Sequence, residues 1–347
     1  MMLINTLSQY TKFAFYGAQV VAYGAHTAIE HLTGRNAEGF VVSKLDYNPR
    51  EIDGIPVLTL DKINADTLVI IAVTEILHDE IADVLADNGY THIFKLTAHE
   101  EHLLMSQYYA SLGLFPQATE SHGEGRPALT LLTACNHLDK QLRHTLELKP
   151  WEIAIQAGAE LTDLRLCEQL DNIGDNISKK NKQYCEATAI YWAWKNAQYP
   201  WVGIGHYRRR LLVTPNMLCE EVDAILPLPY ICCPDVRAQL RRFVDETAVE
   251  AMLEAIRALY PEHSEIYERC LNAKHHYAYN LFAVRHSVFT KYCEWVFSIT
   301  DYIEKLEIQS FMDTRTMSYI VEMLTSMYYI ANTNGLRIKH VEKAIFT

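Results

Sequence analysis

Three things are scarce in this sequence, and each scarcity removes a class of function. The eight cysteines include no CxxC pair, and nothing at the start has the layout of a secretory leader, so they read as reduced core thiols of a cytoplasmic protein. No run approaches the roughly 20 apolar residues of a membrane span, so any membrane contact is expected to be peripheral. Cations are outnumbered, at a net charge of −12. Nucleic-acid affinity comes mostly from neutralising phosphates, so a general nucleic-acid binder is not expected. What is present, 347 residues with 49% hydrophobic and 21% charged, suits a globular chain of two domains.

The densest gathering of polar and cationic residues is DNIGDNISKKNKQYCEATAIYWAWKNAQYPWVGIGHYRRRL, Asp171 to Leu211. It reads as loop, helix, strand, loop. Gly174, Asp175, Asn176, Ser178 and Asn181 turn the backbone or cap a helix, with Asn181 as the expected N-cap. From Tyr184, the apolar positions Ala187, Thr188, Tyr191 and Trp194 keep helical spacing. Glu186 falls on the alanine side of that helix, where a carboxylate needs a cation or a ligand hydroxyl to be buried.

Trp201 to Gly205 is a short strand whose alternate glycines leave one face bare enough for a backbone or a ligand. His206, Tyr207, Arg208, Arg209 and Arg210 follow at its carboxyl end, where α/β proteins set their ligands. Arginine forks match phosphate oxygens bidentately. The plainer alternative is a solvated patch, or arginines paired with the surplus acids of the chain.

GDNIS, YCEATAIYWAWKN and the strand leading to HYRR, with TACNHLD, YAYNLFAVRHSVFTKYCEWVF and RTMSYIVEML, resemble a bacterial domain family of once-unknown function. That family is found in capsular, exopolysaccharide and lipopolysaccharide O-antigen gene clusters, and its members are regarded as glycosyltransferases, some associated with galactofuranose transfer. The resemblance runs from about Pro127 to the C-terminus. It implies a GT-A-like α/β domain that moves a hexose, by inversion, from a UDP-sugar to a glycan or lipid-linked glycan acceptor. It places Asn176, Ser178, Asn181, Tyr184, Tyr207, Arg208, Arg209, Asn280 and Arg315 among the substrate-binding candidates. The chain departs from the family at Leu240 and Phe243, where relatives tend to have Tyr and His. It departs again at Ser318, in place of the glycine of RxxGxIxE, the pattern that holds Arg315 and Glu322.

Inverting transfer needs a base for the acceptor hydroxyl and cations for the departing nucleoside diphosphate. The carboxylates come in the order Glu186, Asp175, Glu322, with Asp223 behind, and His206 is the remaining candidate because its reference pKa near 6.5 suits proton transfer. Each carboxylate also has a structural reading: Asp175 capping a turn, Glu186 bridging Arg208, Glu322 pairing with Arg315. Enzymes of this kind usually hold Mg²⁺ or Mn²⁺ on a DxD pair. No DxD occurs, so the cations of HYRR are expected to neutralise the diphosphate, and no metal or other cofactor is assigned. His275 and His276 have no acidic partner at zinc spacing.

Two further elements complete this half. A helix over Asp235 to Leu259 carries Arg237, Arg241 and Arg242, which either pair with neighbouring acids or face a diphospholipid. A strand from Tyr277 to Val284 brings Asn280 to a cleft, before a helix from Ser287 to Tyr302.

The expected division is a first domain over 1–113, a linker over 114–127 rich in polar residues, Gly and Pro, and a second domain over 128–347. In the first, strands at 12–16, 40–43, 55–58, 67–73 and 93–96 alternate with helices, the pattern of a Rossmann-like, doubly wound parallel sheet. Its glycine turn, Gly17 to Gly24, departs from GxGxxG at Gln19 and Ala22, and Ser43-Lys44 stands where a dinucleotide site wants an acid. FYGAQVVAYG, GFVVS and IDGIPVLTLD resemble the N-terminal Rossmann-like domain of bacterial sugar acyltransferases. In those proteins the turn can serve a nucleotide sugar; here it serves one or is scaffold. Two rival functions follow, a sugar-nucleotide modifying enzyme run by this domain and a non-catalytic polysaccharide-assembly protein.

Overall fold

The computed structural model describes residues 2–46, 48–120, 128–142, 147–311 and 314–346. The chain divides into two units, one holding the residues up to Pro116 with Tyr230–Pro234, the other Gln117–Pro229 with Asp235–Phe346. Residues 121–127 of the expected linker lie outside the described residues.

In the first unit, α1 (Met2–Leu7), β1 (Phe13–Tyr16), α2 (Val20–Thr33), β2 (Phe40–Val42), β3 (Glu51–Ile52), β4 (Ile55–Thr59), β5 (Leu68–Ile71), α3 (His78–Asp87), β6 (Ile93–Lys95) and α4 (Ala98–Ser111) follow in order. The strands lie as β3-β4-β2-β1-β5-β6, all parallel except the β3–β4 hairpin. Every position of β1, β2 and β5 is buried, which is why they read as unbroken apolar runs rather than alternating ones. Gly17 takes φ +125°, and a Cβ there would lie 2.7 Å from the Ala72 carbonyl oxygen. Close passage of the chain leaving β5 therefore accounts for this glycine without any ligand.

The second unit contains β7 (Leu129–Cys135), β8 (Glu152–Gln156), β9 (Gln169–Leu170), α5 (Asn181–Tyr184), α6 (Ala187–Asn196), β10 (Trp201–His206), β11 (Arg209–Leu211) and β12 (Ala224–Pro227). After β13 (Tyr230–Ile231), which belongs to the first unit, come α7 (Val236–Leu240), α8 (Glu246–Leu259), α9 (Ser264–Leu271), β14 (His275–His276), β15 (Phe282–Arg285), α10 (His286–Lys305), α11 (Thr316–Ala331), β16 (Ile338–Val341) and β17 (Lys343–Ile345). The main sheet runs β16-β12-β15-β10-β7-β8-β9, with β11 joining β10 to β17. Strands β7 to β10 are parallel, and β15 is antiparallel to both its neighbours. The carboxyl ends of β7, β8 and β10 therefore share one edge, Cys135 facing Gln156 and Ala134 facing His206.

Packing fixes that edge. Leu131, Trp201, Ile225 and Ala283 belong to one buried cluster, and the rings of Phe282, Phe289, Tyr292 and Tyr329 to another, with Phe282 and Tyr292 centroids 5.2 Å apart. Each such ring is worth about 1.5–3 kcal/mol of apolar burial. Gly203 serves this packing rather than an open face: a Cβ there would meet Leu131 Cδ1 at 2.3 Å.

Three elements break where the sequence promised continuity. The helix expected from Tyr184 is interrupted at Cys185, which adopts φ +49° and ψ −130°. The helix expected over Asp235 to Leu259 splits into α7 and α8 because the Asp245 carboxylate accepts from the Ala248 N–H at 3.0 Å and starts a new helix. The strand expected from Tyr277 begins only at Phe282, since Tyr279 and Asn280 take φ +75° and +51°, outside any ladder.

Candidate active site

A buried carboxylate frames the site. Asp171 Oδ2 accepts from Gly158 N–H (2.8 Å) and the Thr188 hydroxyl (2.6 Å), and Oδ1 from Ala159 N–H (3.0 Å) and the Ser178 hydroxyl (2.6 Å). Four donors offset its desolvation and tie the exit of β8, the GDNIS loop and α6 into one block. Asn181 is the first residue of α5, not the expected N-cap, a place held by Lys180. Buried instead, it donates from Nδ2 to the Cys185 carbonyl (2.7 Å) and the Thr188 hydroxyl (3.0 Å) and accepts from Asn136 Nδ2 (3.0 Å).

Other candidates from this loop are spent on the same frame. Asn176 closes a turn between the Gly174 carbonyl and the Ser178 N–H. Tyr184 donates its hydroxyl to Glu304 at 3.0 Å. Asp175 is exposed and receives the Tyr191 hydroxyl at 3.2 Å, beside the second half of α6 and away from its start.

Glu186 sits just before α6, where the Cys185 kink turns it. Its Oε1 accepts from Asn280 Nδ2 at 3.0 Å, so its partner is an amide and not Arg208. Asn280 Oδ1 in turn accepts from the Thr325 hydroxyl (2.7 Å), which meets the Tyr292 hydroxyl at 2.7 Å. The single Thr325 proton is shared between Asn280 Oδ1 and the Val321 carbonyl at 2.8 Å, so Tyr292 donates to Thr325, and the Asn280 amide nitrogen faces Glu186. Burial pushes the Glu186 carboxyl up; Asn280 pulls against it, Glu322 adds to it and Arg209 opposes it. Three non-glycine residues at positive φ, Cys185, Tyr279 and Asn280, flank this one hydrogen bond. Such backbone costs about 1–3 kcal/mol each and persists where the surroundings enforce it.

The cations divide. Arg210 is buried and pairs with Glu152 at 3.1 Å while donating to the Glu147 carbonyl; it and Arg209 lie in β11 rather than in the expected loop. Arg208 has a buried Nε without a partner. Arg209 lies 4.2 Å from the Tyr279 ring centroid, a cation–π seat. Arg315, immediately before α11, is exposed. Among the described residues, none of Arg208, Arg209 and Arg315 forms an ion pair. Tyr207 meets the site's opening loop, its hydroxyl accepting from the Lys140 N–H at 3.3 Å.

His206 is not poised for proton transfer. Burial, then Arg209 and Arg208, push its imidazole down to about 3, so it is neutral at ordinary pH, and its Nδ1 is buried without a partner. Glu322 pairs with His276 at 3.6 Å instead of Arg315, a partner invisible in sequence spacing. Asp223 holds Arg337 at 2.8 and 2.9 Å, with Arg285 at 3.3 Å; the Arg337 hydrogen bonds keep its carboxyl below the usual range, which makes it a poor proton acceptor. Arg237 reaches Glu250 (2.6 Å) and Glu246, and Arg241 reaches Glu246 (2.9 Å), so these two take the acid-paired reading.

One residue of the cluster escaped the sequence. Asp139 follows β7, with Oδ2 accepting from the Asn136 N–H at 2.7 Å. Burial raises its carboxyl to about 6; Arg208 and Arg315 pull it down and Glu186 pushes it up. Its signal was the acid of TACNHLD after a strand, but only the parallel pairing of β7 with β10 sets that acid beside HYRR. Among the described residues, no group of three or more His, Cys, Asp or Glu is placed to hold a metal ion, and no helix is long and apolar enough to cross a membrane.

Residues 134–333, more than half of the chain, match the family model described as Domain of unknown function (DUF4422). The chain belongs to this family. Asp139, Glu186, Arg208, Arg209, Asn280, Arg315 and Glu322 all fall inside the DUF4422 match. A solved structure described as the apo structure of WbbM, a bifunctional glycosyltransferase, aligns with a TM-score of 0.54 at 24% identity, over 63% of this chain and 45% of WbbM. The likeness is one of fold, and this chain spans less than half of WbbM. No curated protein matches the chain.

Proposed function

We propose that this DUF4422 chain is a glycosyltransferase that moves a hexose, with galactofuranose as the first candidate, from a UDP-sugar to a surface polysaccharide or a lipid-linked glycan. The observation that carries the reading is the set of three arginines, Arg208, Arg209 and Arg315, that lack ion-pair partners among the described residues and act electrostatically on the carboxylates of Asp139 and Glu186. A buried guanidinium nitrogen without an acceptor awaits one, and a diphosphate supplies several. The fold shared with part of a protein described as a glycosyltransferase supports the same reading.

In this reaction the acceptor hydroxyl attacks the anomeric carbon, the bond from that carbon to the diphosphate oxygen breaks, and the hydroxyl proton passes to a base. Asp139 is the proposed base: with a carboxyl at about 6 it is mostly ionised at neutral pH yet close enough to accept a proton. Glu186, its amide partner fixed, holds a sugar hydroxyl on its other oxygen. The arginines take the charge that grows on the departing UDP, the work a divalent cation does on a DxD pair in other enzymes of this shape.

The test is a calorimetric titration of UDP and UDP-galactofuranose against the wild type and Arg208→Ala, with and without EDTA. Binding that survives EDTA and collapses in the variant is expected. Unchanged binding in Arg208→Ala would remove the diphosphate from these arginines and turn attention to the glycine turn of the first unit.

A further inference from the structure

The turn between α7 and α8 displays one aromatic ring outward. Leu240 and Val244 are buried, at 2% and 7% exposure, while Phe243 between them is 53% exposed. The turn is held rigidly: Phe243 and Val244 N–H groups bond the Leu240 carbonyl, Asp245 caps α8, and Arg237 and Arg241 are fastened to Glu246. The Phe243 ring stacks on Tyr319 with centroids 5.0 Å apart and planes 19° from parallel.

Tyr319 lies on the face of α11 that borders the site. At roughly 100° per residue, Arg315, Ser318, Tyr319 and Glu322 fall within one arc of about 100°. Arg315 acts on Asp139 and Glu322 on Glu186. Tyr319 thus shares its arc of α11 with the two side chains that act on the carboxylates.

We propose that the Phe243–Tyr319 stack is the acceptor platform of this site, taking the apolar face of a saccharide ring next to the transferred sugar. The inference rests on the glycosyltransferase reading. Axial C–H bonds of a sugar carry partial positive charge, and an aromatic face is negative. A rigid, half-exposed pair of parallel rings presents that face without ordering cost. Arg242, adjacent, exposed and without an ion pair among the described residues, adds hydrogen-bond donors at the rim. A peripheral membrane anchor would use the same ring and arginines, but it has no need of the parallel stack or of the arc shared with Glu322.

The experiment is saturation-transfer NMR on the full chain, with galactobiose and cellobiose as probes in the presence of UDP. Wild type and Phe243→Tyr are expected to saturate the C–H protons of one face of at least one disaccharide. Phe243→Ala, at an exposed position that leaves the fold intact, is expected to lower disaccharide affinity about two- to tenfold with UDP affinity unchanged. If UDP binds but neither disaccharide is saturated, or saturation is equal in Phe243→Ala, the platform is wrong and the donor reading stands. If UDP itself does not bind, the glycosyltransferase reading fails and the platform with it. Loss of sedimentation with phosphatidylglycerol vesicles in Phe243→Ala, with saccharide contacts intact, would replace the platform by a membrane anchor.

Discussion

Asp171→Asn is the substitution whose cost can be worked most directly from the structure. The side chain keeps its shape, but one of the two oxygens becomes an NH₂ group. Whichever oxygen is replaced, one backbone N–H, of Gly158 or Ala159, then faces a donor, and one hydroxyl, of Thr188 or Ser178, loses its acceptor. Hydrogen bonds to a charged group are worth about 1.5–3 kcal/mol each, so losing two costs about 3–6 kcal/mol. That is a large part of the about 5–15 kcal/mol that holds a domain folded. At about 2–4 °C per kcal/mol for a unit of this size, the melting temperature is expected to fall by on the order of 10 °C. Ser178→Ala removes one hydroxyl donor and leaves the carboxylate three others, so its cost is expected at about 1.5–3 kcal/mol, half that of Asp171→Asn. Circular dichroism melts of the three proteins decide the matter. A shift below about 2 °C for Asp171→Asn would show that this carboxylate does not hold the frame together.

Asp139→Asn probes the proposed base. The folded carboxyl is raised to about 6, so its ionisation disfavours the fold: the stability it contributes is full below the usual carboxylate range and is lost as pH rises through about 6. The variant is expected to melt higher than wild type at pH 7.5 and alike at pH 3, and wild-type transfer is expected to fall as pH drops through about 6. Equal melting at both pH values and a flat rate profile would contradict this placement. Thr325→Val strips the donor from buried Asn280 Oδ1 and is expected to cost about 1–3 kcal/mol, with Thr325→Ser restoring it; equal melts for both variants would break the Tyr292–Thr325–Asn280 chain. Among the cysteines, Cys135 and Cys167 lie with their sulfurs 4.0 Å apart, and the hydrogen bond between them pushes the Cys167 thiol down. Iodoacetamide at pH 7 is therefore expected to modify Cys167 first and the buried Cys293 last, and Cys135→Ser to slow Cys167; uniform labelling by peptide mapping would refute it.

The N-terminal parallel sheet was legible because strands buried on both faces must be unbroken apolar runs, and Phe13 to Tyr16, Phe40 to Val42 and Leu68 to Ile71 are such runs. Of the candidate site, an acid on the small-residue side of a helix drew attention to Glu186, and cations at a strand end to Arg208 and Arg209. What the sequence could not carry is any relation that exists only across strands or between distant helices. Arg208, Arg209 and Arg210 are identical letters in one run, yet among the described residues only Arg210 pairs with an acid, Glu152 of β8, which the fold sets beside it. Asp139 meets Arg208 only because β7 and β10 are parallel neighbours. Asn280 reaches Glu186, and His276 reaches Glu322, over separations that no spacing rule spans. Local propensity and periodicity are properties of neighbours along the chain and were read from it. The partner of a buried charge is chosen by whichever donor the packed core brings within about 3 Å, and that choice was made by the tertiary structure.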